Sequence, residues 1–117
     1  MKIALACYQF KNNEIQANLQ KLESGMKLAS SKQADLVCFG EAFLQGFDSL
    51  NWNYEHDKEI AISQDDAIFK TILGITNKYC IDIMFGYFEK DNQRIYSSEI
   101  LISKGEVLQN HRRISKG

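Results

Sequence analysis

Proline is missing from this 117-residue chain, where average usage would place about six. Its absence excludes a proline-rich linker or a stiff extended segment. Cysteine is scarce: Cys7, Cys38 and Cys80 are an odd number at irregular spacing, without a paired CxxC. That argues against a disulfide framework and a structural zinc site, and for a reducing, cytoplasmic setting. The two histidines, His56 and His111, are too far apart to read as metal ligands, so no metal site is expected from them. Charge is nearly balanced, with 14 Lys plus Arg against 15 Asp plus Glu and a formal net charge of -1. No global field favours nucleic acid or anionic lipid. Long apolar runs are lacking too; Ile3 to Cys7 is too short for a signal peptide or a membrane span. Gly40, Gly46, Gly74, Gly86 and Gly105 never fall into a phosphate-cradling GxGxxG or Walker pattern.

What is present fits a folded α/β chain. Hydrophobic residues make up 44% and charged residues 25%, enough for one small domain or part of a larger one. Ile3 to Cys7 reads as a strand buried on both faces. Ile15, Leu19, Leu22, Met26 and Ala29 recur at helical spacing, which predicts an amphipathic helix from Glu14 to about Ser31, with Asn13 and Gln16 as its N-terminal cap. Leu36 to Phe39 is a second doubly apolar strand. Strand, helix, strand is the signature of a βαβ unit and hence of a parallel sheet covered by helices. Gly40 to about Ser63 reads as a long aromatic-rich loop with short helical pieces. A second helix carries Ile68, Ile72, Ile75 and Tyr79 behind an acidic first turn of Ser63, Asp65 and Asp66. Strands over Ile81 to Phe88, Ile95 to Ile102 and Glu106 to about Gln109 then form an antiparallel meander, with turns at Glu89 to Arg94 and at Ser103 to Gly105.

Two groups are candidates for chemistry. Glu41 follows the apolar strand Leu36 to Phe39, and ligand sites in α/β sheets lie off the carboxyl ends of strands. Partial desolvation between Phe39 and Phe43 would raise its pKa and suit it to general-base work. The same residue also fits the first turn of a short helix, stabilised by the macrodipole. His111, Arg112, Arg113 and Lys116 form a basic cluster after the last strand, able to hold an oxyanion, a phosphate or a carboxylate, or to remain a solvated tail. The three cysteines read as small core residues rather than activated thiols. Phe43, Phe47, Trp52 and Tyr54 read as satellite core beneath the loop.

Taken in order, these features resemble the N-terminal part of the nitrilase, or carbon-nitrogen hydrolase, superfamily. Asn18, Leu19, Lys21 and Leu22 resemble its N-L-x-K-L helix, and Ala34 to Val37 resemble A-D-L-V. Phe39, Gly40 and Glu41 stand where the family has F-P-E, and Phe43 to Phe47 resemble F-L-T-G-Y. Phe85, Gly86, Tyr87, Glu89 and Lys90 resemble F-G-Y-x-E-K; Tyr96 to Ser98 resemble Y-N-S, and Gly105 to Val107 resemble G-E-I. The resemblance implies a partial, truncated αββα sandwich, with residues 1–117 as the N-terminal part of a hydrolase domain. It further implies cleavage of an amide, nitrile or carbamoyl group through a Glu, Lys and Cys triad, without a cofactor. Glu41 would be the general base. At the lysine the family has Tyr or His, then Arg, then Lys, and here His111, Arg112 and Arg113 fill that register. Lys116 is the preferred substitute, because an ammonium can share protons and a guanidinium cannot titrate; Arg113 remains the alternative. None of the three cysteines occupies the nucleophile's place, so the chain alone is expected to be inactive. Its uncovered sheet faces would call for a partner, and a homo-oligomer is expected. The competing reading is a non-catalytic binding or oligomerisation module that retains part of the hydrolase fold.

Overall fold

The apolar stripe from Ile15 to Ala29 folds as helix α1 (Ile15–Ser31) in a computed structural model that describes residues 2–5, 14–40, 43–46 and 53–116, the last four by backbone alone. Leu19, Leu22, Met26 and Ala29 are buried along its inner face. Asn13 lies outside the described residues; the N-cap is Glu14, which makes no side-chain cap bond. Packing, rather than a cap, therefore holds this helix, as is usual for amphipathic helices.

Strand β1 (Ile3–Leu5) pairs parallel with β2 (Leu36–Cys38), which pairs parallel with β3 (Asp82–Asp91). Strands β4 (Arg94–Ser103) and β5 (Glu106–Lys116) complete an antiparallel meander, giving a five-stranded sheet in chain order. Both hairpins turn on two residues with positive φ, Asn92 and Gln93 at 50° and 64°, and Lys104 and Gly105 at 53° and 76°. That is the twist-matched turn that two-residue hairpins prefer. Between β2 and β3 lie α2 (Tyr54–Ile60), capped by Asn53, and α3 (Ala67–Tyr79). The acidic residues expected in the first turn of α3 instead precede it, and Asp66 caps the helix by accepting from Ile68 N–H at 3.0 Å.

Helices α1 and α3 cover one face of the sheet. Val37, Ile83, Phe85, Tyr87, Ile100 and Ile102 meet Leu22, Met26, Phe69 and Ile72 there in one core. The register puts Ile3, Leu5, Leu36, Cys38, Met84 and Leu101 on the opposite face, where Ile3 and Leu5 are 53% and 75% exposed. This corrects the expectation of a first strand buried on both faces: β1 is an edge strand whose odd positions face away from the helices. Cys80 is exposed rather than core, because it ends α3 in the left-handed conformation; Cys38 is half-buried, and Cys7 lies outside the described residues. Phe43 packs on Phe39, their ring centroids 4.9 Å apart, and Tyr54 joins a second small cluster with Ala61, Phe88 and Ile95.

The two helices are also tied by polar groups. Tyr79 donates to Glu23 at 2.8 Å, and this bond, with smaller help from Lys78, holds the Glu23 carboxyl below its ordinary range. Since Glu23 is over a third exposed, we expect Tyr79→Phe to lower unfolding free energy by only about 0.5–1 kcal/mol in urea titrations.

Candidate active site

A strand that leaves a sheet must find new partners for its neighbour's backbone groups, and β3 shows where they are found. Phe39 N–H donates to Met84 O at 2.7 Å, and Gly86 N–H donates to Gly40 O at 3.2 Å. Leu44 N–H then returns to Gly86 O at 3.2 Å. Glu41 and Ala42 lie outside the described residues, yet the residues flanking them both bond to Gly86. Asn18, fully buried on α1, donates to Leu44 O at 2.9 Å from the other side. Gly46 has φ of 100°, a conformation that favours glycine. At Gly40, by contrast, a Cβ would meet nothing within 4 Å and φ lies outside the left-handed range; neither space nor conformation demands glycine where the resembled family has proline.

Two residues further along β3, the carboxamide of Gln45 takes the place of a strand. Phe88 N–H donates to Gln45 Oε1 at 2.9 Å, while Gln45 Nε2 donates to Phe88 O at 2.8 Å and to Ile60 O at 3.2 Å. Ile62 continues the edge, its N–H donating to Phe88 O and its carbonyl accepting from Lys90 N–H. Sequence reading assigned no role to Gln45. Nothing in the local sequence marks it out.

The basic cluster belongs to β5 itself, which corrects the expectation of a strand ending near Gln109. Polar residues fill its end because it carries them to a buried carboxylate. Glu89 is 2% exposed. Its Oε1 accepts from Ser98 Oγ at 2.8 Å, Asn110 Nδ2 at 2.9 Å and Arg112 Nε at 3.0 Å. Its Oε2 accepts from Arg112 Nη2 at 3.0 Å. Arg112 also reaches Asp91 at 2.8 Å and lies 4.4 Å from the centre of the Tyr96 ring. Burial pushes the Glu89 carboxyl up, but the bonds from Arg112, Asn110 and Ser98 prevail and hold it below its ordinary 4.5. Those same carboxylates raise the Arg112 pKa further. Glu89 therefore belongs to a strand rather than to the expected turn.

Sheet register relates this cluster to Glu41's flanks. Gly86 pairs with Glu99, which pairs with His111; Tyr87 pairs with Ser98, which pairs with Arg112. The next pair is Ser97 with Ile114, so Arg113 is the extra residue of a β-bulge, a device that re-aims a strand. Lys116 pairs with Ile95, level with Lys90, about 10 Å beyond Arg113 along the strand. Three strand spacings, about 14 Å, separate the backbone at Gly40 from that at His111 and Arg112. The side chains of Glu41, Arg113 and Lys116 lie outside the described residues.

Cys38 is no substitute nucleophile: burial, aided by Glu99, pushes its thiol up from 9.0, away from the reactive thiolate. Among the described residues no group of three or more His, Cys, Asp or Glu is arranged to hold a metal ion, and no helix is long and apolar enough to cross a membrane.

Known proteins place this architecture. A family model described as carbon-nitrogen hydrolase matches residues 2–115. A nitrilase of Meyerozyma guilliermondii is 25% identical over 107 residues, covering 85% of this chain and 34% of its own length. A probable nitrilase of Schizosaccharomyces pombe is 31% identical over 111 residues, covering 89% of this chain and 40% of its own. The chain thus spans well under half of these curated relatives. Among solved structures, the NitN amidase of Nesterenkonia sp. AN1 superposes with a TM-score of 0.82 at 22% identity, over 97% of this chain and 44% of that one. A variant of that amidase carries the acetamide moiety of fluoroacetamide on its active-site cysteine.

Proposed function

Because the chain belongs to the carbon-nitrogen hydrolase family, we propose that it carries the general base and the oxyanion-holding cation of a hydrolase for small amides, nitriles or carbamoyl compounds. The cysteine nucleophile comes from outside residues 1–117. The observation that supports this most is the double anchoring of Gly40 and Leu44 on Gly86, which brackets position 41 at the carboxyl end of β2.

In this reading Glu41 takes the thiol proton, and the thiolate attacks the substrate carbon. For an amide, the tetrahedral oxyanion is held by a cation from the end of β5. The protonated Glu41 returns its proton to the departing ammonia or amine, leaving a thioester. Glu41 then deprotonates water, which attacks the thioester; the acid is released and the thiolate regains its proton. No metal or organic cofactor enters these steps.

Lys116 is the cation proposed from its chemistry, since an ammonium is compact and shares protons. Arg113 is the second reading, favoured by the bulge and by its backbone level one step beyond Arg112. An arginine there would hold the oxyanion as a fixed charge without titrating. The test is ammonia release from fluoroacetamide, butyramide and short nitriles by the product of the full reading frame. If Lys116 is the cation, Lys116→Ala lowers kcat by about 100-fold or more and Arg113→Ala far less; the opposite order assigns the role to Arg113. Wild-type protein that releases no ammonia from any of these classes, although its downstream cysteine is present, would count against the hydrolase reading.

A further inference from the structure

We propose that Gln45 is a positioning residue for the base: its side-chain amide acts as a one-residue strand that pins the 43–46 turn, which follows Glu41 in the chain, against β3. The inference rests on Glu41 being the base. It concerns a residue at a place where the resembled family pattern, F-L-T-G-Y, has threonine, a side chain too short to span the same gap.

The argument is an account of one edge of β3. From Met84 to Lys90, the groups facing β2 are satisfied in turn by Phe39, Gly40, Leu44, the Gln45 side chain and Ile62. Backbone supplies every one of these partners except that of the Phe88 N–H; the Phe88 carbonyl accepts from Ile62 N–H as well as from Gln45. There the amide group, with a donor and an acceptor on one rigid plane, pairs with both the N–H and the carbonyl of the same residue, as an adjacent strand would. Gln45 is fully buried, and its Nε2 also donates to Ile60 O. One side chain thereby joins the turn after Glu41, the strand beneath it and the end of α2. Leu44, next in sequence, is bonded on both its backbone groups, to Gly86 and to Asn18. Without the Gln45 amide, the two Leu44 bonds alone hold this turn on β3, and any slip that breaks them is passed to the segment between Gly40 and Phe43, which is where Glu41 lies in the chain. Small displacements of a reacting group carry large rate penalties, so the amide's effect is on the base's alignment.

Two variants of the full-length protein separate this from mere stability. Gln45→Met keeps the volume and removes the hydrogen bonds. It is expected to lower kcat for amide hydrolysis by about 10- to 100-fold, with KM within about twofold, and to move the titration midpoint of the 13C-labelled Glu41 carboxyl by about half a unit or more. Leu22→Ala, which loosens α1 in the core, is expected to lower thermal stability at least as much while leaving that midpoint in place. Gln45→Glu provides rescue within one molecule. Protonated at acidic pH, its carboxyl again offers a donor and an acceptor to Phe88; ionised at neutral pH, it faces the carbonyls of Phe88 and Ile60 with charge. The Glu41 amide signal should then approach its wild-type position only on acidification.

The titration and amide signals need no substrate, so they decide the proposal even without measurable turnover. A Glu41 midpoint unmoved in Gln45→Met, whatever the loss of stability, overturns the positioning role. Full activity in Glu41→Gln overturns the base assignment instead, and the two failures are read from different variants.

Discussion

Glu41→Gln in the full-length protein is expected to reduce kcat for amide hydrolysis by about 100- to 10,000-fold, the usual weight of a positioned general base. The substitution keeps shape and removes the acceptor of the thiol proton. Substrate binding should change little, so the loss should appear in kcat rather than in KM. Because both flanks of position 41 are bonded to Gly86, a neutral amide there has no reason to rearrange the sheet, and the melting temperature should stay near that of the wild type. The measurement is ammonia release alongside thermal unfolding. Activity close to the wild type, with the same fold, would remove Glu41 from the mechanism.

The second large effect is on stability. Glu89→Ala deletes a carboxylate that holds Ser98, Asn110 and Arg112 together. Breaking a fully buried ion pair costs about 3–5 kcal/mol. Arg112 is 36% exposed and keeps Asp91, so about 2–3 kcal/mol is the discounted expectation here. Urea unfolding of the variant reads it directly. The pH dependence has a definite sign. A carboxyl held below its ordinary 4.5 in the folded state contributes stability that is fully present above the unfolded value and is lost as pH falls through the lower folded one. The gap in stability between wild type and Glu89→Ala should therefore narrow on acidification below about pH 4.5. A gap constant down to strongly acidic pH would mean that Glu89 is not the ionised partner of Arg112.

Much of the fold was legible because its signals are periodic. The spacing of Ile15, Leu19, Leu22, Met26 and Ala29 fits one helical face, and Leu36 to Phe39 reads as a short apolar strand; both elements formed, the strand ending one residue earlier at Cys38. The turn from Ser103 to Gly105 was legible through its glycine. What escaped was structure made by polar residues. Glu89, Asn110 and Arg112 look like solvated turn and tail in sequence, because charge ordinarily marks exposure. They lie instead on β3 and β5, on either side of β4, and satisfy one another. Gln45 was equally silent, since nothing local distinguishes an amide that faces water from one that replaces a strand. In the candidate site, position and resemblance singled out Glu41 from the end of an apolar strand. The choice between Arg113 and Lys116 depends on a bulge, and a bulge leaves no periodic trace.

The pinning of the 43–46 turn also imposes an order of assembly. Gln45 and its partner Phe88 are 43 residues apart in the chain. At ribosomal rates of about 5–20 residues per second, roughly 2–9 s pass between the synthesis of one and of the other. During that interval α1 can form from local contacts, but the segment bearing the proposed base has nothing to lie against. The β3 to β5 meander, closed by two-residue turns, forms on a timescale of microseconds once made. The 43–46 turn is therefore among the early segments to be synthesised and among the late ones to be set in place, which keeps an incomplete chain from fixing it before β3 exists.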